Sequence, residues 1–209
     1  MSRISIGCIV EGDGEVEAVP VLVTRIAAEV APGMFVHLPR SSIVKRDHMT
    51  TSSDAISKAI AYLVPRLSKP AGFVLILDRD DETDPSRLID DLAAHMKACR
   101  GDCPSIVVMP DREYEAWFLA SAESLRGVRG LRDDLAPPPN PDAIRPAKEW
   151  LADRAAGARR YGERADQAAL TSHFDMAAAR ANSPSFARAY AEIARLLLEL
   201  VASLPTPAP

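Results

Sequence analysis

The residues best suited to chemistry in this chain sit at the ends of short apolar runs. Ile4 to Val10 (ISIGCIV) is followed at once by Glu11, with Gly12, Asp13 and Gly14 behind it. Phe73 to Leu77 (FVLIL) is followed by Asp78-Arg79-Asp80. Ile106 to Met109 leads into Asp111, Glu113 and Glu115. Carboxylates set directly behind apolar runs are costly to desolvate unless a cation meets them. Residues i and i+2 of an extended chain share a side, so Asp78 and Asp80 aim at one point if strand geometry continues through Arg79. Two hard oxygen ligands plus water suit Mg²⁺. Mn²⁺ takes the same kind of donor. Glu11 is placed to be a further ligand or a general acid/base. The glycines behind it let a ligand or backbone approach closely.

The other charged residues divide between chemistry and ordinary packing. Asp81, Glu82 and Asp84 read as the negative first turn of the next helix. Glu113 and Glu115 straddle Tyr114, and each is either an extra metal ligand or a solvated side chain. Arg79 stands ready to pair with a carboxylate or to touch phosphate. Arg40, Lys45, Arg46 and His48 follow a strand end, where Lys45 and Arg46 could hold phosphates near a metal. Lys148 and the pair Arg159-Arg160 offer similar contacts from the C-terminal region. Trp117 and Phe118 have the spacing of a buried helix face and read as core. Cys8 lies inside an apolar run and reads as inert packing. The segment Gly12-Asp13-Gly14-Glu15-Val16-Glu17 fails as a dinucleotide fingerprint: Glu17 replaces the third small residue and acids crowd the helix start.

These residues need a scaffold, and the chain spells one out. Ile4–Val10, Met34–Leu38, Phe73–Leu77 and Ile106–Met109 read as strands. Between and after them, helices are expected from Glu15 to Glu29, from about Thr50 to Leu67, from Pro85 to Cys99, and around Tyr114 to Ser121. Pro20 is expected to delay or bend the first helix. The alternation predicts a mostly parallel four-stranded sheet flanked by helices. Right-handed crossovers then line up the strand C-termini on one edge, where α/β sheets bind ligands. Gly127 to Pro146 is rich in Gly and Pro and reads as a linker. Beyond it, helices are expected at Ala147–Ala156, within Asp166–Ala181, and after Ser183-Pro184, with a frayed tail at Pro205–Pro209. The division expected is an α/β domain over 1–122 and a helical C-terminal region over 123–209 packed on it.

Composition narrows the function classes. The 209 residues carry 25 Lys and Arg against 29 Asp and Glu, a net charge of −4. A broad basic surface for nucleic acid is therefore excluded, and any such contact must be a local patch. Three cysteines give no disulfide framework and too few ligands for a structural zinc. No run of about 18 apolar residues spans a membrane. Met1-Ser2-Arg3-Ile4 opens straight into a strand without a signal-peptide core, which predicts a cytoplasmic protein.

Two resemblances attach to these motifs. Strand-Glu11-Gly12, a helix, then strand-Asp78-Arg79-Asp80 resembles the Toprim domain of topoisomerases, primases and overcoming-lysogenization-defect-type nucleases. The resemblance covers roughly the first 122 residues. It implies a Toprim-like, Rossmann-like fold, Glu11 in general acid/base catalysis and Asp78 and Asp80 on Mg²⁺. Glu115-Ala116-Trp117-Phe118-Leu119-Ala120 and Ser183-Pro184-Ser185-Phe186 are similar to the bacterial group called domain of unknown function 4276, grouped with Toprim-like proteins. This favours Glu115 as a further metal ligand. Arg79 between the aspartates departs from the pattern and puts metal binding there in question. The implied activity is metal-dependent phosphodiester hydrolysis, with a role in phage defence. Expected partners are nucleic acid, an ATPase protein and a second copy of the chain. A non-catalytic Toprim-like scaffold and a haloacid-dehalogenase-like phosphatase with Asp78 as nucleophile remain alternatives.

Overall fold

A computed structural model describes residues 3–157 and 160–205. Met1, Ser2, Ala158, Arg159 and the tail 206–209 lie outside the described residues. Among those described, five strands form one sheet: β1 (Arg3–Val10), β2 (Phe35–His37), β3 (Ser42–Ile43), β4 (Ala71–Ile76) and β5 (Ser105–Val108). The order is β2-β1-β4-β5, every pairing is parallel, and β3 joins β1 beyond the end of β2. The four expected strands are present, and β3 is an addition in what reads as a basic loop. Two residues are too few to leave a periodic signal; they pair only because Ile9 and Val10 offer an edge past the last residue of β2.

Side chains alternate across this sheet. Ile4, Ile6, Cys8 and Val10 of β1, Val74 and Ile76 of β4, and Ile106 and Val108 of β5 enter one hydrophobic cluster. Ile9, Phe73, Leu75, Leu77 and Val107 enter the other. A parallel sheet covered on both faces needs such continuous apolar runs. The first face is covered by α1 (Glu15–Val30) and α9 (Pro184–Ala202), with α7 (Glu163–His173) and α8 (Met176–Asn182) around them. The second is covered by α3 (Ser53–Leu63) and α4 (Pro85–Cys99). The C-terminal region thus adds its own apolar residues to the core of the sheet. Trp117 and Phe118 of α5 (Ala116–Ala120) are fully buried in it. Cys8 is buried too, and burial pushes its thiol up to about 12. Ser183 caps α9, accepting the Phe186 N–H at 3.0 Å, with Pro184 in the first turn.

Two expectations need correction. The single helix from Thr50 to Leu67 is instead α2 (Arg46–Thr51), α3 and a 3₁₀ turn at Val64–Arg66. Ser52 has extended backbone (φ −140°, ψ 107°) and separates the first two. Pro20 neither delays nor ends α1, which starts at Glu15 and runs past it. Pro20 has no N–H to give the Val16 carbonyl; the buried Ser41 hydroxyl donates to that oxygen instead, at 3.0 Å. Ser41→Ala is therefore expected to destabilise the fold by about 1–3 kcal/mol, the cost of stranding a buried acceptor. Urea unfolding should show a lower midpoint at an unchanged slope.

Candidate functional site

The C-terminal ends of β1 and β4 lie side by side, and the acids behind them meet. The Asp78 N–H donates to Glu11 Oε2 at 3.3 Å. The Asp78 side chain is buried, and its Oδ1 accepts the Tyr114 N–H at 2.9 Å. Glu15, in the first turn of α1, folds back over the loop and accepts the N–H groups of Glu11 and Gly12 on Oε2, at 3.0 and 2.8 Å. Glu115, just ahead of α5, is wholly buried. Its Oε1 accepts the Tyr161 hydroxyl at 2.7 Å and Gln167 Nε2 at 3.2 Å. Glu115 Oε2 and Gln167 Oε1 have no hydrogen-bond partner among the described residues.

Electrostatics follow from this crowding. Burial, then repulsion from Glu15 and Glu115, holds the Asp78 carboxyl well above the ordinary range, against the pull of Lys148. Burial lifts Glu15 to about 7 despite its two amide donors, with Glu11 adding repulsion. Burial lifts Glu115 to about 7, opposed by Lys148 and the Tyr161 hydroxyl. Half-buried Glu11 is also raised, chiefly by burial, and Asp80 adds to the effect while Arg46 opposes it. Lys148, on α6 (Ala147–Ala152), holds Glu163 at 2.6 Å. Desolvation works against its ammonium, but Glu115, Glu163 and Asp78 outweigh it and raise its pKa. The site therefore carries more buried negative charge than Lys148 balances. Such an excess favours a proton or a bound cation.

The remaining candidates fall around this centre. Asp80 does not continue the strand: β4 ends at Ile76 and Asp80 has φ 51°, so the i, i+2 alignment with Asp78 is lost. Its N–H bonds the Arg112 carbonyl at 3.1 Å, and its carboxylate faces Arg145 at 3.7 Å. Arg79 turns away to Asp111 at 3.2 Å. Arg46 donates to the carbonyls of Asp78 and Arg79, fixing the acidic loop from below. Lys45 is exposed at the start of α2. Glu113 is buried and accepts the Lys148 N–H at 3.3 Å. Asp84 caps α4 through the Arg87 N–H, while Asp81 pairs with Arg112 and Arg145 in the loop before it.

Sequence spacing alone does not single out Glu15, Tyr161 or Gln167. The signal for Glu15 is the four-residue step from Glu11 across Gly12 and Gly14. Gly14 is itself under a packing constraint: a Cβ there would lie 2.4 Å from Gln167 Oε1 and 3.1 Å from the Glu163 backbone. Gly14→Ala is expected to push α7 off α1 and displace Gln167 from Glu115. The readout is a drop of several degrees in melting temperature, about 1–3 kcal/mol of overpacking.

Among the described residues no three His, Cys, Asp or Glu side chains stand together closely enough to hold a metal ion. Mg²⁺ needs fewer: it commonly keeps several waters and takes one or two protein carboxylates. The donors here are all hard oxygens, and Glu115 Oε2 is buried without a partner. The residues present fit a sparsely ligated, hydrated divalent cation.

The family model described as Domain of unknown function (DUF4276) matches residues 10–194. The chain belongs to the DUF4276 family. The match runs from the last residue of β1 into α9, so the DUF4276 region includes Glu11, Glu15, Asp78, Glu115, Lys148 and Gln167. A search of curated proteins and a search of solved structures each found no match. No helix among the described residues is long and apolar enough to cross a membrane.

Proposed function

We propose that this DUF4276 chain has a Toprim-like core and is a Mg²⁺-dependent phosphodiester hydrolase acting on nucleic acid, with Mn²⁺ able to replace Mg²⁺. The observation that carries the reading is the gathering of Glu11, Glu15, Asp78 and Glu115 behind the ends of three neighbouring strands, β1, β4 and β5, where their ionised forms are disfavoured until a cation arrives. Asp78 and Glu115 would hold the ion. Bound there, it would supply an activated water and neutralise charge on the phosphate. Glu11 is the most accessible acid of the group, and its raised pKa suits it to move a proton. Glu15 holds the turn that presents Glu11. Lys148 offers the cation nearest the buried acids for a phosphate oxygen. Arg46 and Arg79 are engaged in shaping the acidic loop, so their part in phosphate binding is indirect. A place in phage defence beside an ATPase partner belongs to this proposal on the Toprim resemblance.

The test is cleavage of single- and double-stranded DNA and RNA with Mg²⁺ or Mn²⁺. Wild type is expected to cut at least one of them, and Glu11→Gln to lose about 10²–10⁴-fold, the usual contribution of a general acid/base. Cleavage that Glu11→Gln leaves intact would remove Glu11 from the reaction.

A further inference from the structure

The far edge of the sheet carries a second feature, remote from the acids. Among the described residues β5 pairs with β4 only, so its other side is an open edge. The Phe73 N–H donates to the Pro104 carbonyl at 3.0 Å and the Leu77 N–H to the Val108 carbonyl at 3.2 Å. The even-numbered residues thus face β4, and alternation turns the N–H and C=O groups of Ser105, Val107 and Met109 outward. A cavity of about 440 Å³ follows this edge, between Ile89 and Ala93 of α4 on one side and Arg188, Glu192 and Arg195 of α9 on the other. Open edges of this kind are templates for another strand.

The charges on α9 state which strand. Arg188, Glu192, Arg195 and Glu199 alternate in sign along the exposed side of the helix. Arg188 with Glu199, and Glu192 with Arg195, are both symmetric about the point between Ile193 and Ala194. A two-fold axis through that point sets every arginine opposite a glutamate of the second helix. The strand has its own centre of symmetry at Val107, the middle of the outward-facing trio. Along the strand direction the two centres lie at about the same level. Helix α9 runs antiparallel to β5: Arg188 bonds Asp111 at 3.1 Å past one end, and Leu200 lines a cavity with Pro104 at the other. Halfway between those anchors lies Ala194 on the helix and Val107 to Val108 on the strand.

We propose that β5 and α9 form a self-complementary surface on which a second copy of this chain docks. The two β5 strands pair antiparallel about Val107, and the two α9 helices lie side by side with Arg188 facing Glu199 and Arg195 facing Glu192. An isologous contact of this kind closes as a dimer. Because the paired strands run in opposite directions, the two acid sites point to opposite ends of the assembly. The inference is therefore independent of the proposed activity.

The experiment is light scattering or sedimentation of the full chain over a range of concentrations. Wild type is expected to be a dimer. Arg195→Glu and Glu192→Arg each create two like-charge contacts and should weaken association by at least about tenfold. An equal mixture of the two variants restores opposite charges at both contacts and should regain wild-type association. Val107→Pro removes an outward N–H without touching the β4 ladder, and should give a monomer with unchanged circular dichroism. The proposal is overturned by a wild type that stays monomeric throughout, as it would if the edge served a foreign peptide. It is equally overturned by charge variants that dimerise like wild type, or by a mixture no tighter than its components.

Discussion

Asp78→Asn is expected to abolish metal-dependent cleavage and, in the same molecule, to raise the melting temperature of the metal-free protein. The loss of activity follows from removing a charge at the centre of the site, worth on the order of 10²–10³-fold for a single stabilising group. The gain in stability follows from the same charge. An ionised Asp78 carboxylate would be buried among Glu15, Glu115 and Glu11, with Lys148 as the opposing charge, so burial and repulsion both work against it. Asparagine keeps an oxygen for the Tyr114 N–H and adds an amide that can donate to the neighbouring carboxylates. Relieving a strained buried charge with a near-isostere is worth about 1–3 kcal/mol, or roughly 2–10 °C in a chain of this size. Asp78→Ala lacks the oxygen, strands the Tyr114 N–H and should melt below Asp78→Asn. A residue kept only for packing would show no such exchange of stability against activity, so Asp78→Asn with full activity or a lower melting temperature would count against the assignment.

Metal-free protein should lose stability as pH rises from 5 to 8. Glu15 and Glu115 titrate near 7 when folded and near 4.3 when unfolded. Between those values the folded state holds protons that the unfolded state has released. Raised carboxyl groups therefore stabilise fully below the unfolded pKa, and that contribution is lost as pH climbs through 7. Each group is worth up to about 4 kcal/mol, and the two are not additive because they share one site. Melting curves in chelator should move down across this window, and Mg²⁺ should restore most of the loss at pH 8 by binding the ionised form. The double variant Glu15→Gln/Glu115→Gln should make the profile shallower, with the raised carboxyls of Asp78 and Glu11 supplying the slope that is left. A melting temperature that is flat or rising from pH 5 to 8 would contradict the burial and crowding described for these acids.

Much of this was legible in the residues, for identifiable reasons. β1, β4 and β5 are buried on both faces, and such strands must be continuous apolar runs that end where an acid appears. α4 has a proline start and a capping aspartate written into Asp84-Pro85. Glu11 and Asp78 follow directly, because adjacent parallel strands end on the same side. Asp80 was not legible: its alignment depended on backbone that turns left-handed one residue past Arg79. β3 and α2 hide in a basic stretch because a two-residue strand and a six-residue helix rest on tertiary pairing rather than periodicity. The grip of Tyr161 and Gln167 on Glu115 joins positions about fifty residues apart, and no local pattern reports it. Ser41 under Val16 is of the same kind: the sequence shows the proline that creates the need, and the fold supplies the donor.

The most direct test of the account is a calorimetric titration of Mn²⁺ or Mg²⁺ into the purified chain near pH 8. Saturable binding in wild type, lost in Asp78→Asn and weakened in Glu115→Gln, is the predicted result. Binding that both substitutions leave untouched, or heats no different from buffer in wild type, would mean that Asp78 and Glu115 do not hold a divalent cation.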